Sequence, residues 1–262
     1  MVINLHGKRA FVCGATQGIG KAIAVQLAKS GASVTLCARN EGMLKQVINQ
    51  LDQTQHQEHS YLCADFSKPD ELNKLLQAYN RNFPLVHILV NNTGGPAPGS
   101  ILNAQTQDFV SAFQQHLICN HILVQNFLPS MKHSQYGRII NILSTSVKQP
   151  LPNLGVSNTI RAAVANWAKT LAHEVAPYGI TVNNILPGAT RTQRLEQIIQ
   201  QKAQKSHQSF NEIEQEMKEE IPMKRFAWPE EVAYLATFLA SPYAAYITGV
   251  NIPVDGGRTS CL

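Results

Sequence analysis

A glycine-rich segment near the start of the chain has the composition of a phosphate-binding turn. It lies between an apolar run and a helical pattern and reads Gly14-Ala15-Thr16-Gln17-Gly18-Ile19-Gly20. Glycines permit a tight turn and let backbone N–H groups approach a pyrophosphate, and the N-terminus of the next helix adds positive dipole character. A plain turn could use the same residues, but the position between strand and helix favours a dinucleotide site.

The residue after the second apolar run indicates which dinucleotide is bound. A site for the free 2′-hydroxyl of NAD requires an acidic side chain at this place, and Ala38 cannot supply one. Arg39 could instead hold the 2′-phosphate of NADP through charge-assisted hydrogen bonds. A solvated arginine is the alternative; the sequence predicts NADP as the cofactor, with NAD as the less favoured choice.

The elements that position these residues follow from short apolar runs that alternate with longer helical patterns. Strands are predicted at 8–13, 33–38, 60–64, 86–91, 138–143, 180–186 and 251–254. A helix is predicted over 155–176, with one apolar stripe formed by Ile160, Val164, Trp167 and Leu171. Continuous apolar strands separated by helices indicate a parallel sheet covered on both faces. The prediction is a Rossmann-type, doubly wound α/β fold of about seven strands.

One domain is expected over residues 1–262, because no repeat, low-complexity segment or linker divides the chain. Residues 192–220 differ from the rest in their richness in Gln, Glu and Lys, and their helical pattern is interrupted at 206–207. We expect helices there, outside the main sheet, that could form a mobile lid over a substrate.

Composition excludes several other classes of protein. The 22 Lys and Arg residues exceed the 17 Asp and Glu residues only mildly and form no basic run, so no nucleic-acid partner is expected. The five cysteines form no CxxC pair, and buried free thiols in a reducing cytosol explain them best. We find no metal-ligand spacing, signal peptide or membrane span, so a cytoplasmic protein without a metal is expected.

Segments along the chain resemble the short-chain dehydrogenase/reductase family, with the β-ketoacyl-carrier-protein-reductase-like branch as the nearest. Beside the glycine motif, the resemblance lies in Asp65, Asn91-Asn92-Thr93-Gly94 (the family has Asn-Asn-Ala-Gly), Pro187-Gly188, Ile247-Thr248-Gly249 and Val254-Asp255-Gly256-Gly257. It implies an oxidoreductase of a small-molecule substrate that forms a homodimer or homotetramer. The implied cofactor-binding residues, together with Arg39, are Gly14, Thr16, Gln17, Gly18, Ile19, Gly20, Asp65, Phe66, Asn92, Gly94, Arg161, Pro187, Gly188 and Thr190.

The catalytic residues that the resemblance implies are only partly present. The family uses an Asn-Ser-Tyr-Lys tetrad, and Ser144 matches its serine at the end of the fifth strand. The tyrosine and lysine positions hold Ser157 and Arg161, and the asparagine position holds His116. Neither Tyr136 nor Tyr178 can be moved into register by a small gap, so the sequence favours true substitutions over a slip in the alignment.

These substitutions change the chemistry that the site can perform. A serine hydroxyl is a much weaker acid than a phenol, and an arginine stays protonated and cannot shuttle a proton. His116 has the side chain whose ordinary pKa, about 6.5, suits proton transfer near neutral pH, although a lone histidine is more often structural. Lys148 is a weaker candidate.

Two functions therefore remain open. One is an NADP-dependent oxidoreductase of a carbonyl or alcohol, for which a 3-oxoacyl thioester is the nearest analogy, with a non-standard proton donor. The other is a non-catalytic NADP-binding sensor or partner protein that has lost the Tyr and Lys chemistry.

Overall fold

A seven-stranded parallel sheet forms the centre of the molecule. The computed structural model describes residues 2–83 and 85–261, and its strands lie in the order β3-β2-β1-β4-β5-β6-β7. They are β1 (Arg9–Cys13), β2 (Ser33–Ala38), β3 (Ser60–Cys63), β4 (Ile88–Asn91), β5 (Gly137–Ile142), β6 (Ile180–Pro187) and β7 (Asn251–Val254). The doubly wound α/β prediction is confirmed, and each predicted strand ends within two residues of its observed bounds.

Helices cover both faces of the sheet, as the continuous apolar strands required. They are α1 (Gly18–Lys29), α2 (Glu41–Ile48), α3 (Pro69–Asn82), α4 (Thr106–Phe113), α5 (Cys119–Ser134), α6 (Gly155–Val175), α7 (Gln193–Ser206), α8 (Phe210–Glu219) and α9 (Pro229–Ala240). Successive side chains of β1 point to opposite faces: Val12 packs in the core under α1, α2 and α9, whereas Phe11 packs in the core under α3, α5 and α6.

An asparagine ladder crosses four adjacent strands in register. Asn91 Nδ2 donates to Asn141 Oδ1 over 2.8 Å, Asn141 Nδ2 donates to Asn184 Oδ1 over 2.8 Å, and Asn184 Nδ2 donates to Asn251 Oδ1 over 2.7 Å. The same residues are paired in the strand register. Because buried amides need partners, the ladder fixes the relative position of β4 to β7, and Ser144 follows the end of β5.

The helix that follows β4 in the chain contains an extra residue in one turn. It runs through α4, a π turn at Gln114–Ile118 and α5 without a break. A π turn inside a helix is rare and often occurs at a functional site. His116 lies in this turn and is buried.

The segment predicted as a lid forms a small helical unit with its own core. Helices α7 and α8 pack through Leu195, Ile199, Ile213 and Met217, away from the two cores of the sheet. The interruption predicted at 206–207 is present, because α7 ends at Ser206 and His207 adopts a left-handed conformation with φ +55°.

Two expectations from the sequence concern the burial of the cysteine thiols and the presence of a membrane-spanning helix. Cys13, Cys37 and Cys119 are buried, as expected, but Cys63 and Cys261 are exposed, so the expectation of buried thiols is wrong for these two. Within the two described ranges, no helix combines the length and apolar character that crossing a membrane requires.

Candidate functional site

The turn between β1 and α1 has a backbone shape that only glycine fits. Gly14 and Gly18 have φ of +59° and +53°, in the left-handed region that favours glycine. A Cβ atom on Gly20 would lie 2.2 Å from the carbonyl oxygen of Gly14, which is closer than atoms can approach. The turn therefore folds tightly back on itself at the start of α1.

The start of α1 is free to bind an anion. Gln17 precedes the helix without capping it through its side chain, and the first turn contains no acidic residue. The first backbone N–H groups of a helix need partners from outside it, and the dipole favours a negative one. Asn92 holds the turn in place, since its Nδ2 lies 3.2 and 3.3 Å from the carbonyl oxygens of Cys13 and Gly14. This uncapped, glycine-lined terminus fits the pyrophosphate of a dinucleotide.

The side chains after β2 and β3 lie at the same edge of the sheet. Arg39 is exposed and makes no salt bridge within the described part of the chain, so its guanidinium fork is available to a phosphate. Asp65 is half-buried and accepts a hydrogen bond of 2.9 Å from the backbone N–H of Ser67, which lowers the pKa of its carboxyl. Phe66 beside it is half-buried. The positive charge of Arg39 also lowers the pKa of Asp65, so these two predicted cofactor-binding residues are neighbours.

The end of β6 reaches towards the glycine turn. After Pro187, the backbone N–H of Gly188 donates to the carbonyl oxygen of Val254, and Thr190 Oγ1 lies 3.1 Å from the carbonyl oxygen of Gly188. The methyl group of Thr192 lies 3.1 Å from where a Cβ atom on Gly18 would be. The segment that begins at Pro187 thus reaches the glycine motif at Thr192. Thr192, at the start of the lid segment, was not among the predicted contacts.

Ser144 and Arg161 lie at the carboxyl end of β5, and Ser157 is on the same helix as Arg161. Ser144 is half-buried, and its Oγ accepts a 3.1 Å hydrogen bond from the backbone N–H of Ser146. Ser157 is half-buried on α6, one helical turn before Arg161. Arg161 is only 8% exposed, and its Nη1 donates to the carbonyl oxygen of Ile142 over 2.8 Å. Burial lowers the pKa of Arg161 to about 10, so the guanidinium is still charged at neutral pH.

His116 joins this group from the π turn. Its Nδ1 lies 2.6 Å from Oγ1 of Thr93, in the loop after β4. Burial, with a smaller effect from the positive charge of Arg161, lowers the pKa of His116 to about 3. The expectation of an ordinary histidine pKa is therefore wrong, and His116 is a neutral imidazole at pH 7. It can contribute to catalysis as a neutral hydrogen-bond donor, but not as a protonated imidazolium.

The loop after β4 lies between the two groups of residues. Gly94 is exposed and has no atom within 4 Å of the place a Cβ would occupy, whereas Gly95 would place one 3.6 Å from Nη2 of Arg161. Sequence reasoning missed the role of Thr93, although its difference from the alanine of the family motif was a usable signal. It also missed Ser146, whose buried Oγ has no hydrogen-bond partner among the described residues.

A mostly apolar groove of about 560 Å³ adjoins the catalytic candidates. It is lined by Ser100, Ile101, Ser146, Val147, Pro150, Leu151, Asn153, Gly155, Asn158, Thr159 and Ala162. Ser146 and Asn158 follow Ser144 and Ser157 closely in the chain, so the groove begins beside them.

Similarity to known proteins agrees with this geometry. A family model described as enoyl-(acyl carrier protein) reductase matches residues 14–259. The chain is 35% identical over 257 residues to the NADPH-dependent reductase BacG of Bacillus subtilis (97% of this chain, 99% of that one). It is 33% identical over 263 residues to the 3-oxoacyl-[acyl-carrier-protein] reductase FabG of Aquifex aeolicus (98% of this chain, 99% of that one).

A solved structure shares the fold over its whole length. The L-sorbose reductase of Gluconobacter frateurii, complexed with NADPH and L-sorbose, superposes with a TM-score of 0.93 at 30% identity and covers 100% of both chains. The chain therefore belongs to the short-chain dehydrogenase/reductase family of NAD(P)-dependent oxidoreductases, as its motifs indicated.

Proposed function

We propose that this chain is an NADP-dependent reductase of a carbonyl substrate in which a histidine replaces the usual tyrosine as proton donor. The uncapped glycine turn with Arg39 beside it supports the cofactor, in agreement with the NADPH-dependent relatives. The contact between Thr93 and His116, with the positive charge of Arg161 acting on the same ring, carries the proposal of a changed donor.

Each residue has a role that its position supports. When bound, the reduced dinucleotide supplies a hydride to the carbonyl carbon. Ser144 donates a hydrogen bond to the carbonyl oxygen, and its own orientation is set by the backbone N–H of Ser146. Arg161 binds the ribose hydroxyls and stabilises negative charge on the oxygen. Nε2–H of His116 supplies the proton, and Ser157 fills the place of the tyrosine with a smaller side chain, which leaves room for the substrate.

The groove beside these residues supports a substrate with an apolar portion. Its lining by Ile101, Val147 and Leu151 suits an acyl chain more than a sugar. We therefore favour a ketone of the 3-oxoacyl-thioester kind, the substrate class printed in the name of the Aquifex aeolicus relative.

The remaining proposals concern the molecule around the site. We propose one domain over 1–262 in which residues 192–220 act as a lid, supported by the separate core of α7 and α8 and by the bond from Arg194 Nη2 to the carbonyl oxygen of Pro96. We also propose a cytoplasmic homodimer or homotetramer with α6 and the C-terminal region as contacts. The exposed rings of Tyr243 and Tyr246 in the latter support it.

The test combines binding and turnover on the purified protein. NADPH affinity is measured by fluorescence titration, and NADPH oxidation is followed with acetoacetyl-coenzyme A, a simple ketone and an aldehyde. We expect NADPH binding, together with turnover of the thioester that Ser144→Ala reduces. Binding without turnover of any of the three substrates would favour the non-catalytic NADP sensor, for which the loss of the tyrosine and lysine is the supporting observation. Absence of binding would exclude both functions.

A further inference from the structure

Two positions where the chain differs from the family pattern are in direct contact. Thr93 stands where the Asn-Asn-Ala-Gly motif has alanine, and His116 stands at the expected asparagine position. Their side chains come from separate elements, the loop after β4 and the π turn, yet Oγ1 and Nδ1 lie 2.6 Å apart. An alanine at position 93 could not make this contact. The two differences thus form one structural unit.

The surroundings of the pair determine which atom donates the proton. Thr93 Oγ1 has no other hydrogen-bond partner among the described residues. If Nδ1–H donated to the hydroxyl, the hydroxyl hydrogen would have no acceptor. If the hydroxyl donates to Nδ1, that need is met, and the ring proton resides on Nε2. The second arrangement gives the half-buried hydroxyl of Thr93 an acceptor within the protein and is the favoured one.

Burial, with a smaller effect from Arg161, fixes the charge state of the same ring. The Arg161 guanidinium is buried close to His116, and a second positive charge there would be repelled in a poorly solvated site. The low pKa of His116, about 3, agrees with this. The ring can therefore hold only one proton at neutral pH, and the position of that proton decides whether His116 can donate to a substrate. Nε2 has no partner among the described residues and is not one of the fully enclosed, unpaired polar atoms.

We propose that Thr93 is a positioning residue that holds His116 in the Nε2–H form, so that a neutral imidazole donates to the substrate. This inference rests on the proposed function. As the carbonyl carbon accepts the hydride, the π electron pair moves to the oxygen, which takes the proton of Nε2. Nδ1 takes the hydroxyl proton of Thr93, and Thr93 regains a proton from water. The reduced alcohol and a neutral imidazole result, with one proton drawn from solvent.

The tautomer of His116 can be measured without any substrate. Protein labelled with ¹⁵N-histidine is studied by long-range ¹H–¹⁵N NMR correlation, which separates protonated from unprotonated ring nitrogens. The chain has nine histidines, and the signal of His116 is identified as the one that is missing from the spectrum of His116→Asn. We expect a protonated Nε2 and an unprotonated Nδ1 for His116. A protonated Nδ1 in the unmodified protein would overturn the inference.

Variants at position 93 separate positioning from simple packing. Thr93→Val keeps the shape but removes the hydroxyl, and we expect a mixed tautomer and a kcat reduced about tenfold, with the KM and the Kd of NADPH unchanged. Thr93→Ser keeps the hydroxyl and should retain both the Nε2–H tautomer and the kcat of the unmodified protein. The matched control is Thr237→Val, which removes a buried hydroxyl that has no partner in the described structure and should change neither.

The outcomes distinguish this inference from the proposed function. If the unmodified protein turns over none of the three carbonyl substrates but shows the Nε2–H form that Thr93→Val disturbs, the positioning role stands and the reductase proposal fails. If Thr93→Val leaves the tautomer unchanged, the positioning role is wrong even where the enzyme is active. Should Thr93→Val fail to fold, the unmodified protein and Thr93→Ser still give the tautomer.

Discussion

Two parts of the site are built by different means: the dinucleotide side, around the glycine turn at 14–20, and the carbonyl side, around Ser144 and His116. The first depends on backbone shape: glycines at positive φ, a close approach at Gly20 and an uncapped helix start. The second depends on side chains that act on one another, chiefly Thr93, which contacts His116, and Arg161, whose charge acts on the His116 ring. A backbone shape tolerates few residue types, so the glycine motif at 14–20 still matches the family pattern. A side-chain group can be replaced when its members change together, and here four positions, 93, 116, 157 and 161, differ from the family pattern at once.

The largest effect is expected on the carbonyl side. Ser144→Ala removes the hydroxyl proposed to bind the carbonyl oxygen, and kcat should fall roughly 10²–10³-fold, as for other donors to a developing negative charge. Steady-state kinetics with NADPH and the best substrate measures this. The Kd of NADPH should stay constant. A tenfold weaker NADPH affinity in this variant would contradict the separation of the two sides.

On the dinucleotide side, Gly20→Ala tests the backbone argument. The added Cβ would meet the carbonyl oxygen of Gly14 at 2.2 Å and Nδ2 of Asn92 at 2.6 Å, so the turn must open. We expect NADPH affinity to fall roughly 10–100-fold, which corresponds to the ~1–3 kcal/mol of an overpacked site. Gly42→Ala, exposed on α2 with its nearest atom at 3.4 Å, is the control. Equal NADPH affinity in both variants would refute the argument.

A smaller, selective effect is expected from Arg39→Ala. Loss of a charge-assisted hydrogen bond to the 2′-phosphate should weaken NADPH binding about tenfold and leave NADH binding unchanged. Isothermal titration with both nucleotides measures the ratio. Arg81→Ala removes an exposed arginine near the end of α3 and should alter neither affinity. A parallel loss of NADH and NADPH affinity in Arg39→Ala would show that Arg39 supports the turn and does not read the phosphate.

The smallest expected effect concerns acid stability. The pKa of His116 is about 3 in the folded protein, below the ordinary value of 6.5. Between these values the unfolded chain binds a proton that the folded chain does not, so stability falls as pH drops from 6.5 towards 3. Buried His87, with a pKa lowered to about 4 mainly by burial, acts in the same direction.

Variants of these histidines should lose part of that dependence. We expect His116→Asn and His87→Asn each to show a smaller decrease in Tm than the unmodified protein between pH 7 and pH 5, measured by thermal scanning. Exposed His133→Asn serves as the control. An unchanged pH slope in His116→Asn would show that His116 takes up its proton equally in the folded and the unfolded chain, against a lowered pKa in the folded protein.

Sequence alone predicted the fold and the NADP cofactor, because both leave a local record in the chain. Apolar runs of strand length mark a buried parallel strand, and glycine spacing marks the turn. The carbonyl side leaves no such record. The contact between Thr93 and His116 joins residues 23 positions apart, and the pKa of His116 depends on burial and on Arg161 from a third element. Sequence could locate His116, but its charge state is a property of the folded packing.

The π turn at Gln114–Ile118 has a consequence for how such a site can arise. A turn of this kind contains one residue more than an α-helical turn, and each residue advances an α-helix by about 100°. Removing one residue from the turn would therefore restore regular helix and rotate α4 by about 100° relative to α5. The direction in which position 116 points is thus set by the length of the chain, and insertions or deletions in this turn give access to geometries that side-chain replacement cannot reach.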